Sequence, residues 1–516
     1  MKKTRKLLRI IFGRTTFVVV SLLLQVAVLF AGFRFLSRYM IYIYGGFTLL
    51  SALVIIYILN KDENPSFKLA WIVPITVIPV FGTLLYLFLE MQVTGKLIDK
   101  RVKKSIEDSK PFLEQDPRVM ERLVRASRSN GNLAYYIRNS GHYPVYEKTN
   151  VKYYPLGEDM FEDMKKELEN AKRFIFMEYF IVERGEMWDA ILEILERKVK
   201  EGVEVRFMYD GMCCLVLLPY RYPKELRAKG IQAKMFSPIM PVLSTYQNNR
   251  DHRKILVIDG HTAFTGGINL ADEYINRKVR FGHWKDTGIM VKGDAVTSFT
   301  MMFLQMWSIT EKTPEDYGKY LRDPEYFYPP ELNMDGFVIP YGDSPLDQEN
   351  VGEQVYLDII QSARNYVHIM TPYLILDYEM TQALKFAAKR GVETIIIMPH
   401  IPDKQYAFLL AKSHYEELLN AGVQIYEYTP GFVHAKVFTS DDEKAVVGTI
   451  NMDFRSLYLH FECAAFLYRN EVIRDVERDF WDTLAQSQQI TMEDVKNYPW
   501  HKKFAGRVLR LFAPLM

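Results

Sequence analysis

Two short stretches hold residues that could do chemistry together. "DHRKILVID" contains His252, Lys254 and Asp259, and "VHAKVFTSD" contains His434, Lys436 and Asp441, at the same spacing. An imidazole can attack an electrophile or move a proton, and a neighbouring ammonium can hold an anion. Both stretches read as strands, in which residues i and i+2 share a face, so each histidine should point the same way as its lysine. Two imidazoles and two lysines suit displacement at a phosphodiester. One histidine attacks phosphorus, the other protonates the leaving alkoxide, and the lysines hold the non-bridging oxygens. No acidic cluster and no His/Cys set points to a metal, and the lysines already supply positive charge. Neither a metal nor a cofactor is therefore expected.

The two stretches belong to a longer repeat. "HRKILVIDGHTAFTGGIN" and "HAKVFTSDDEKAVVGTIN" align without a gap at an offset of 182 residues. Each ends in an asparagine, Asn269 and Asn451, 17 residues after its histidine and just behind a Gly-Gly or Gly-Thr pair that allows close backbone approach. Both asparagines, with Lys254 and Lys436, are candidate phosphate ligands. A reacting imidazole also needs its tautomer set, usually by a carboxylate on the other nitrogen. Asp286 follows His252 by 34 residues and Glu462 follows His434 by 28, and each precedes a strand-like segment that could return beside the histidine of its own half. Solvated surface carboxylates are the competing reading. Asp259 and Asp441, the third members of the two motifs, are expected to fix the turn after each strand through local backbone bonds.

The elements that position these residues also repeat. "RFIFMEYFIV" reads as a strand, "MWDAILEILERKVKEG" as a helix ended by Gly202, and "VEVRFMYDG" as a strand. "NYVHIMTPYLI", "EMTQALKFAAKRG" and "VETIIIMP" repeat the order. This predicts α/β layers with helices outside, and one active site where the two halves face each other.

At 516 residues the chain has room for two or three domains. Its net charge of +2 gives no broad basic field, so no nucleic-acid partner is expected. Cys213, Cys214 and Cys463 are too few and too oddly placed for a disulfide framework. Three uncharged runs, 15–33, 39–60 and 69–89, are 19 to 22 residues long, near the ~20 that cross a bilayer as helix. The first lacks a small-residue cleavage site, so residues 1–95 read as a membrane anchor rather than a signal peptide. Basic clusters before the first run (Lys2 to Arg14) and after the third (Lys96 to Lys104) both favour the cytoplasm. One run should then enter and leave on the same side. The third is the candidate, because Pro74 and Pro79 interrupt it and Gly82 follows. The catalytic region is placed on the cytoplasmic side of the cell membrane.

Two H-x-K-x4-D motifs, each followed by G-[GT]-x-N, resemble the phospholipase D superfamily. "NRDHRKILVIDG", "TGGINLADEY", "TPYLILD", "GFVHAKVF", "GTINMDFRS" and the terminal "RLFAPLM" narrow the resemblance to bacterial cardiolipin synthases of the two-motif type, from about residue 40 to the end. The run at 15–33 is extra to the family's common two-segment anchor. The resemblance implies an α/β fold: N-terminal membrane helices (1–95), a basic helical linker (96–145), and two pseudo-symmetric phospholipase D-like α/β/α sandwich halves (146–330 and 331–516). It also implies Asp286 and Glu462 as the histidines' partners. His460 departs from the pattern, standing where asparagine is expected two residues before the glutamate. The implied reaction joins two phosphatidylglycerols into cardiolipin and glycerol through a phosphatidyl-histidine on His252, with His434 as acid and then base. Its partners are membrane phospholipids and the bilayer, which "CCLVLLPYRYP" (213–223) and the tail "GRVLRLFAPLM" could enter. Nothing in the sequence specifies an oligomeric state. Hydrolysis by water, transfer to another alcohol such as serine or ethanolamine, a nuclease activity, and a non-catalytic membrane scaffold are the alternatives.

Overall fold

The structure, a computed structural model, describes residues 40–90, 93–237 and 245–515 apart from Lys312, Glu331 and Gln348, with scattered positions between 20 and 35. The first half contains β1 (Thr149–Tyr154), β2 (Phe174–Tyr179), β3 (Glu204–Asp210), β4 (Gln232–Phe236), β5 (Ile255–Ile258), β6 (Thr262–Gly266), β7 (His283–Lys285) and β8 (Gly288–Gly293). All but β7 form one sheet in the order β1-β8-β6-β5-β2-β3-β4. The second half contains β9 (Phe337–Asp343), β10 (Tyr366–Met370), β11 (Glu393–Pro399), β12 (Gln424–Tyr428), β13 (Gly431–Val433), β14 (Val437–Ser440), β15 (Lys444–Gly448), β16 (Glu462–Tyr468) and β17 (Ser487–Ile490). All but β13 form a sheet that reads β9-β16-β15-β14-β10-β11-β12-β17. The second order reproduces the first and adds one edge strand, so the repeat in the sequence is a repeat of topology.

Helices at Glu186–Lys200 and Tyr222–Ala228 return the chain between β2, β3 and β4, which run parallel. Tyr378–Lys389 and Gln405–Leu419 do the same for β10, β11 and β12. Gly202 and Gly391 follow their helices at φ +90, a conformation open to glycine, which is why both Gly-Val-Glu steps turn sharply into a strand. The strands predicted from the apolar runs are buried nearly throughout, as expected of a sheet covered on both faces.

The two sheets share a core. Phe176, Val257 and Val291 of the first, and Val338, Ile369 and Val446 of the second, belong to one continuous apolar cluster. The helix Val296–Ser308 lies within it and is buried nearly all round, with Phe303 stacked on Phe176 at 4.7 Å between centroids. The segment expected as a linker is helical over Val93–Ser109, Pro117–Ala126 and Arg128–Gly141, but it is part of this core rather than a connection. Leu123, Leu133 and Ile137 are buried there, and Ser105 donates to the carbonyl of Gln305 at 2.8 Å.

Most of the run at 15–33, and the basic cluster before it, lie outside the described residues. The second run is helical over Met40–Leu59. The third is two short helices, Pro65–Val77 and Pro79–Glu90, broken at Ile78 (φ −132, ψ 74). They fold back on each other: a Cβ on Gly82 would lie 2.8 Å from the Ile75 Cα, and Val54, Ile58, Ile75 and Tyr86 make a small core between the three helices. Among the described residues no helix is long and apolar enough to cross a membrane. The hairpin's base docks on the second half. Asn64 donates to Asp377 at 3.0 Å and to the Tyr458 hydroxyl at 2.8 Å, and Phe67 meets Phe454 and Tyr458 edge-on. The C-terminal helix Trp500–Phe512 packs against Gln405–Leu419 through Gly506. Trp500, Phe504 and Val508 form an outward stripe along it, 78%, 64% and 44% exposed. In the segment 213–223 the outcome is mixed: Cys214 and Leu218 are buried, while Val216 and Tyr220 are exposed.

Candidate active site

Neither histidine sits in a regular strand. β5 begins at Ile255 and β14 at Val437, so His252–Lys254 and His434–Lys436 are the connecting residues just before them. Their backbone bonds go to the other half instead of a sheet neighbour. The His252 N–H donates to the Phe461 carbonyl at 2.9 Å, and the His434 N–H to the Lys285 carbonyl at 2.7 Å. Each lysine turns back on its own motif: Lys254 Nζ donates to the His252 carbonyl at 2.6 Å, and Lys436 Nζ to that of His434.

The residues after those two acceptor carbonyls are the carboxylates. Phe461 precedes Glu462, and Lys285 precedes Asp286. His252 Nδ1 lies 2.8 and 2.9 Å from the Glu462 oxygens, and His434 Nδ1 lies 2.6 Å from Asp286 Oδ2. The expected pairing within each half is therefore corrected: each half's carboxylate holds the other half's histidine. The cause is strand exchange at the interface. β7, ending one residue before Asp286, pairs in parallel with β13, ending one residue before His434. Asp251 forms the matching parallel bridge with Phe461, whose N–H donates to the Arg250 carbonyl at 2.8 Å. A carboxylate oxygen only accepts here, so each Nδ1 carries the proton and each Nε2 presents its lone pair; Lys436 Nζ, 2.9 Å from His434 Nδ1, touches that nitrogen without donating to it and donates to the His434 carbonyl instead.

The glycine-rich turns shape these contacts differently in the two halves. A Cβ on Gly267 would lie 2.0 Å from Asp286 Oδ1, so only glycine leaves room for the carboxylate. Thr449, the aligned residue, instead donates its hydroxyl to Glu462 Oε2. Asn269 and Asn451 also diverge. Asn269 accepts from the Ile181 N–H at 2.9 Å and donates to the Tyr274 hydroxyl at 2.9 Å, so most of its amide is committed to the protein. Asn451 Oδ1 has no hydrogen-bond partner. Asp259 and Asp441 do not reach the histidines. Asp259 accepts from the N–H groups of Lys172, Arg173 and Phe174 at 2.7 to 2.8 Å, and Asp441 from those of Arg364, Asn365 and Tyr366 at 2.8 to 3.1 Å. Each aspartate, at φ 53 and 56, clamps the start of the strand beside its own; the expectation of bonds local to its own turn is corrected, because the N–H groups it meets lie 75 to 87 residues away in the chain.

Burial sets the electrostatics. It holds His252 well below the usual imidazole value, aided by Lys254 and Lys436, and with Lys436 it pushes His434 down to about 4. Burial likewise lowers Lys254 to about 8 and Lys436 to about 7. The lysine cations are present below these values and lost above them. The kcat/KM profile for an anionic diester should therefore fall on its basic side near pH 7 to 8, not near 10. A bound phosphate stabilises both cations, so the kcat profile should fall at higher pH than kcat/KM. A kcat/KM profile level to pH 10 would show that lysine charge does not govern capture.

Sequence reasoning missed the aromatic walls. Phe180 meets His252 edge-on at 4.5 Å, and Tyr274 and Trp284 lie 5.5 and 5.4 Å from His434. It also missed the buried pair of Glu178 with Arg253 at 2.7 Å, although a carboxylate within "FIFMEYF" was a visible signal. The sequence offers no metal set, yet the fold assembles one: ligand atoms of His252, His460 and Glu462 lie within 4.8 Å of one another. His252 is 208 residues from His460, so only the crossing brings them together.

Comparison with known proteins follows the same plan. The family model described as "Cardiolipin synthase, PLD-like domain" matches residues 164–307 and 356–484, and "Phospholipase_D-nuclease N-terminal" matches 49–90. An uncharacterized protein of Streptococcus mutans is 52% identical over 90% of this chain and 99% of its own length. Cardiolipin synthases of Halalkalibacterium halodurans and Geobacillus kaustophilus are 33% and 35% identical, over 92% and 88% of this chain and 95% and 90% of theirs. The crystal structure of a phosphatidylserine synthase from Haemophilus influenzae shares the fold at a TM-score of 0.54 and 13% identity, covering 76% of this chain and 98% of that one.

Proposed function

Because the chain belongs to the cardiolipin synthase family of phospholipase D-like phosphatidyltransferases, we propose that it joins two phosphatidylglycerols into cardiolipin and glycerol. The observation that supports this most is the pair of interleaved histidine–carboxylate dyads, which supplies two oriented imidazoles and two lysines to one centre. His252 Nε2 attacks the phosphorus of one phosphatidylglycerol. Its phosphate charge favours the protonated form of His434, which gives that proton to the departing glycerol oxygen. The phosphorus is then bonded to His252, and Glu462 holds the Nδ1 proton of the cationic ring. His434, now neutral, takes the proton of the terminal hydroxyl of a second phosphatidylglycerol as that oxygen attacks. One diester is exchanged for another, so no nucleotide is consumed. Lys254, Lys436, Asn451 and the remaining N–H of Asn269 face the charge that develops on the non-bridging oxygens.

Both substrates reside in a bilayer, and we place the enzyme in the cell membrane with its catalytic halves on the cytoplasmic side. The folded-back run at 69–89 supports an anchor that enters and leaves one face, as the two basic clusters require. Exposed Leu69 and Val77 on the hairpin, with Trp500 and Phe504 on the C-terminal helix, are suited to the interface.

The full chain in phosphatidylglycerol vesicles should release glycerol and form cardiolipin one for one, measured by mass spectrometry. Phosphatidic acid without cardiolipin would replace this reading with a hydrolase. Cardiolipin made only when serine or ethanolamine is absent would show an enzyme that accepts other alcohols.

A further inference from the structure

His460 has no role in the reaction above, and its side chain is out of place as a core residue. It is 6% exposed, and neither ring nitrogen has a hydrogen-bond partner. Burying an imidazole with both nitrogens unpaired costs stability unless something else binds there. Its ring lies 5.5 Å from that of His252 and 6.1 Å from Phe180, and its Nδ1 is 3.7 Å from Glu462 Oε1, beyond hydrogen-bond reach. Glu462 Oε1 is also 2.8 Å from His252 Nδ1. Two bonds of about 2.0–2.1 Å at a tetrahedral angle separate ligand atoms by roughly 3.3 Å, a spacing that these two distances bracket.

We propose that His252, His460 and Glu462 form an inhibitory site for a zinc-class divalent cation. Two imidazoles and a carboxylate suit such an ion, and three protein ligands leave its fourth position open. The consequence for turnover rests on His252 being the nucleophile. An ion at Nδ1 displaces the proton that Glu462 accepts, and the neutral ring then carries its single N–H at Nε2. The lone pair needed for attack on phosphorus is gone. Nothing is oxidised or reduced, and a chelator restores the ring by letting the proton return to Nδ1. The site depends on the crossing between halves, since Glu462 and His460 come from one and His252 from the other.

The test uses the full-length protein, stripped with EDTA and equilibrated with buffered micromolar ZnCl2. The wild type should hold one more zinc per chain than His460→Asn, by elemental analysis. CoCl2 on the wild type alone should give the intense visible bands of a tetrahedral ion, a readout that does not depend on the variant's folding. In phosphatidylglycerol vesicles, zinc should slow the wild type at least tenfold, reversibly with EDTA, and slow His460→Asn less than twofold relative to its own zinc-free rate. Equal zinc content in the two proteins, or only the weak bands of octahedral cobalt, overturns the site. Zinc bound without loss of turnover overturns its inhibitory effect. A zinc-free enzyme that makes no cardiolipin counts against the proposed reaction, while the zinc and cobalt measurements still decide the site.

Discussion

His252→Ala and His434→Ala are each expected to lower phosphatidyl transfer by on the order of 10⁴–10⁶-fold, because nucleophile and acid act as one unit and overall transfer is lost without either. The two losses should look alike in steady state and differ before it. Rapid quenching of the wild type with labelled phosphatidylglycerol should trap a phosphatidyl adduct on His252. His252→Ala should yield no adduct at any time. His434→Ala should form the His252 adduct slowly, since the leaving glycerol must depart without its proton, and should pass it on slowly as well. Both side chains are nearly buried, 5% and 7% exposed, so near-ultraviolet circular dichroism must accompany the kinetics to separate lost chemistry from lost packing. An adduct found only on His434 would reverse the two roles.

The sequence makes the repeated parts of this site legible. The 182-residue offset, the two H-x-K-x4-D motifs and the paired Gly-Val-Glu steps all correspond to elements at equivalent places in the two sheets. The partners of Asp259 and Asp441 were not readable, because the backbone N–H groups whose bonds they accept lie one strand away in space but 75 to 87 residues earlier in the chain. The pairing of carboxylates with histidines was not readable. It depends on β7 meeting β13 and on Asp251 meeting Phe461, contacts between chain segments 148 to 210 residues apart that a spacing argument within one half cannot see. The helices at 93–141 were legible as helices and misread as a linker. Their apolar faces show amphipathicity but not the partner, which is the helix Val296–Ser308 and the core around it. The break at Ile78 followed from Pro79, since the residue before a proline is turned away from helical geometry, whereas the expected interruption at Pro74 is corrected: that proline lies inside the helix Pro65–Val77.

Crossed pairing also makes the halves interdependent, and this gives the other large effect. Glu462→Gln and Asp286→Asn should each lower turnover by on the order of 10²–10⁴-fold, as loss of a carboxylate that fixes a tautomer does elsewhere. The two losses should fall on different steps. Glu462→Gln lets the His252 proton move to Nε2, so adduct formation should slow. Asp286→Asn leaves His252 oriented but deprives His434 of the charge that stabilises its imidazolium, so protonation of the leaving glycerol should slow. Pairing within halves predicts the reverse assignment. Double variants decide between the two when the rate of adduct formation is followed. A residue that acts only through its partner adds nothing once that partner is gone. His252→Ala with Glu462→Gln should therefore be no slower than His252→Ala alone, and His434→Ala with Asp286→Asn no slower than His434→Ala. His434→Ala with Glu462→Gln should form the His252 adduct more slowly still, because Glu462 still serves the remaining histidine. If instead Glu462→Gln is silent in the His434→Ala background and Asp286→Asn slows the adduct, each half orients its own histidine and the strand exchange through β7 and β13 does not govern the chemistry.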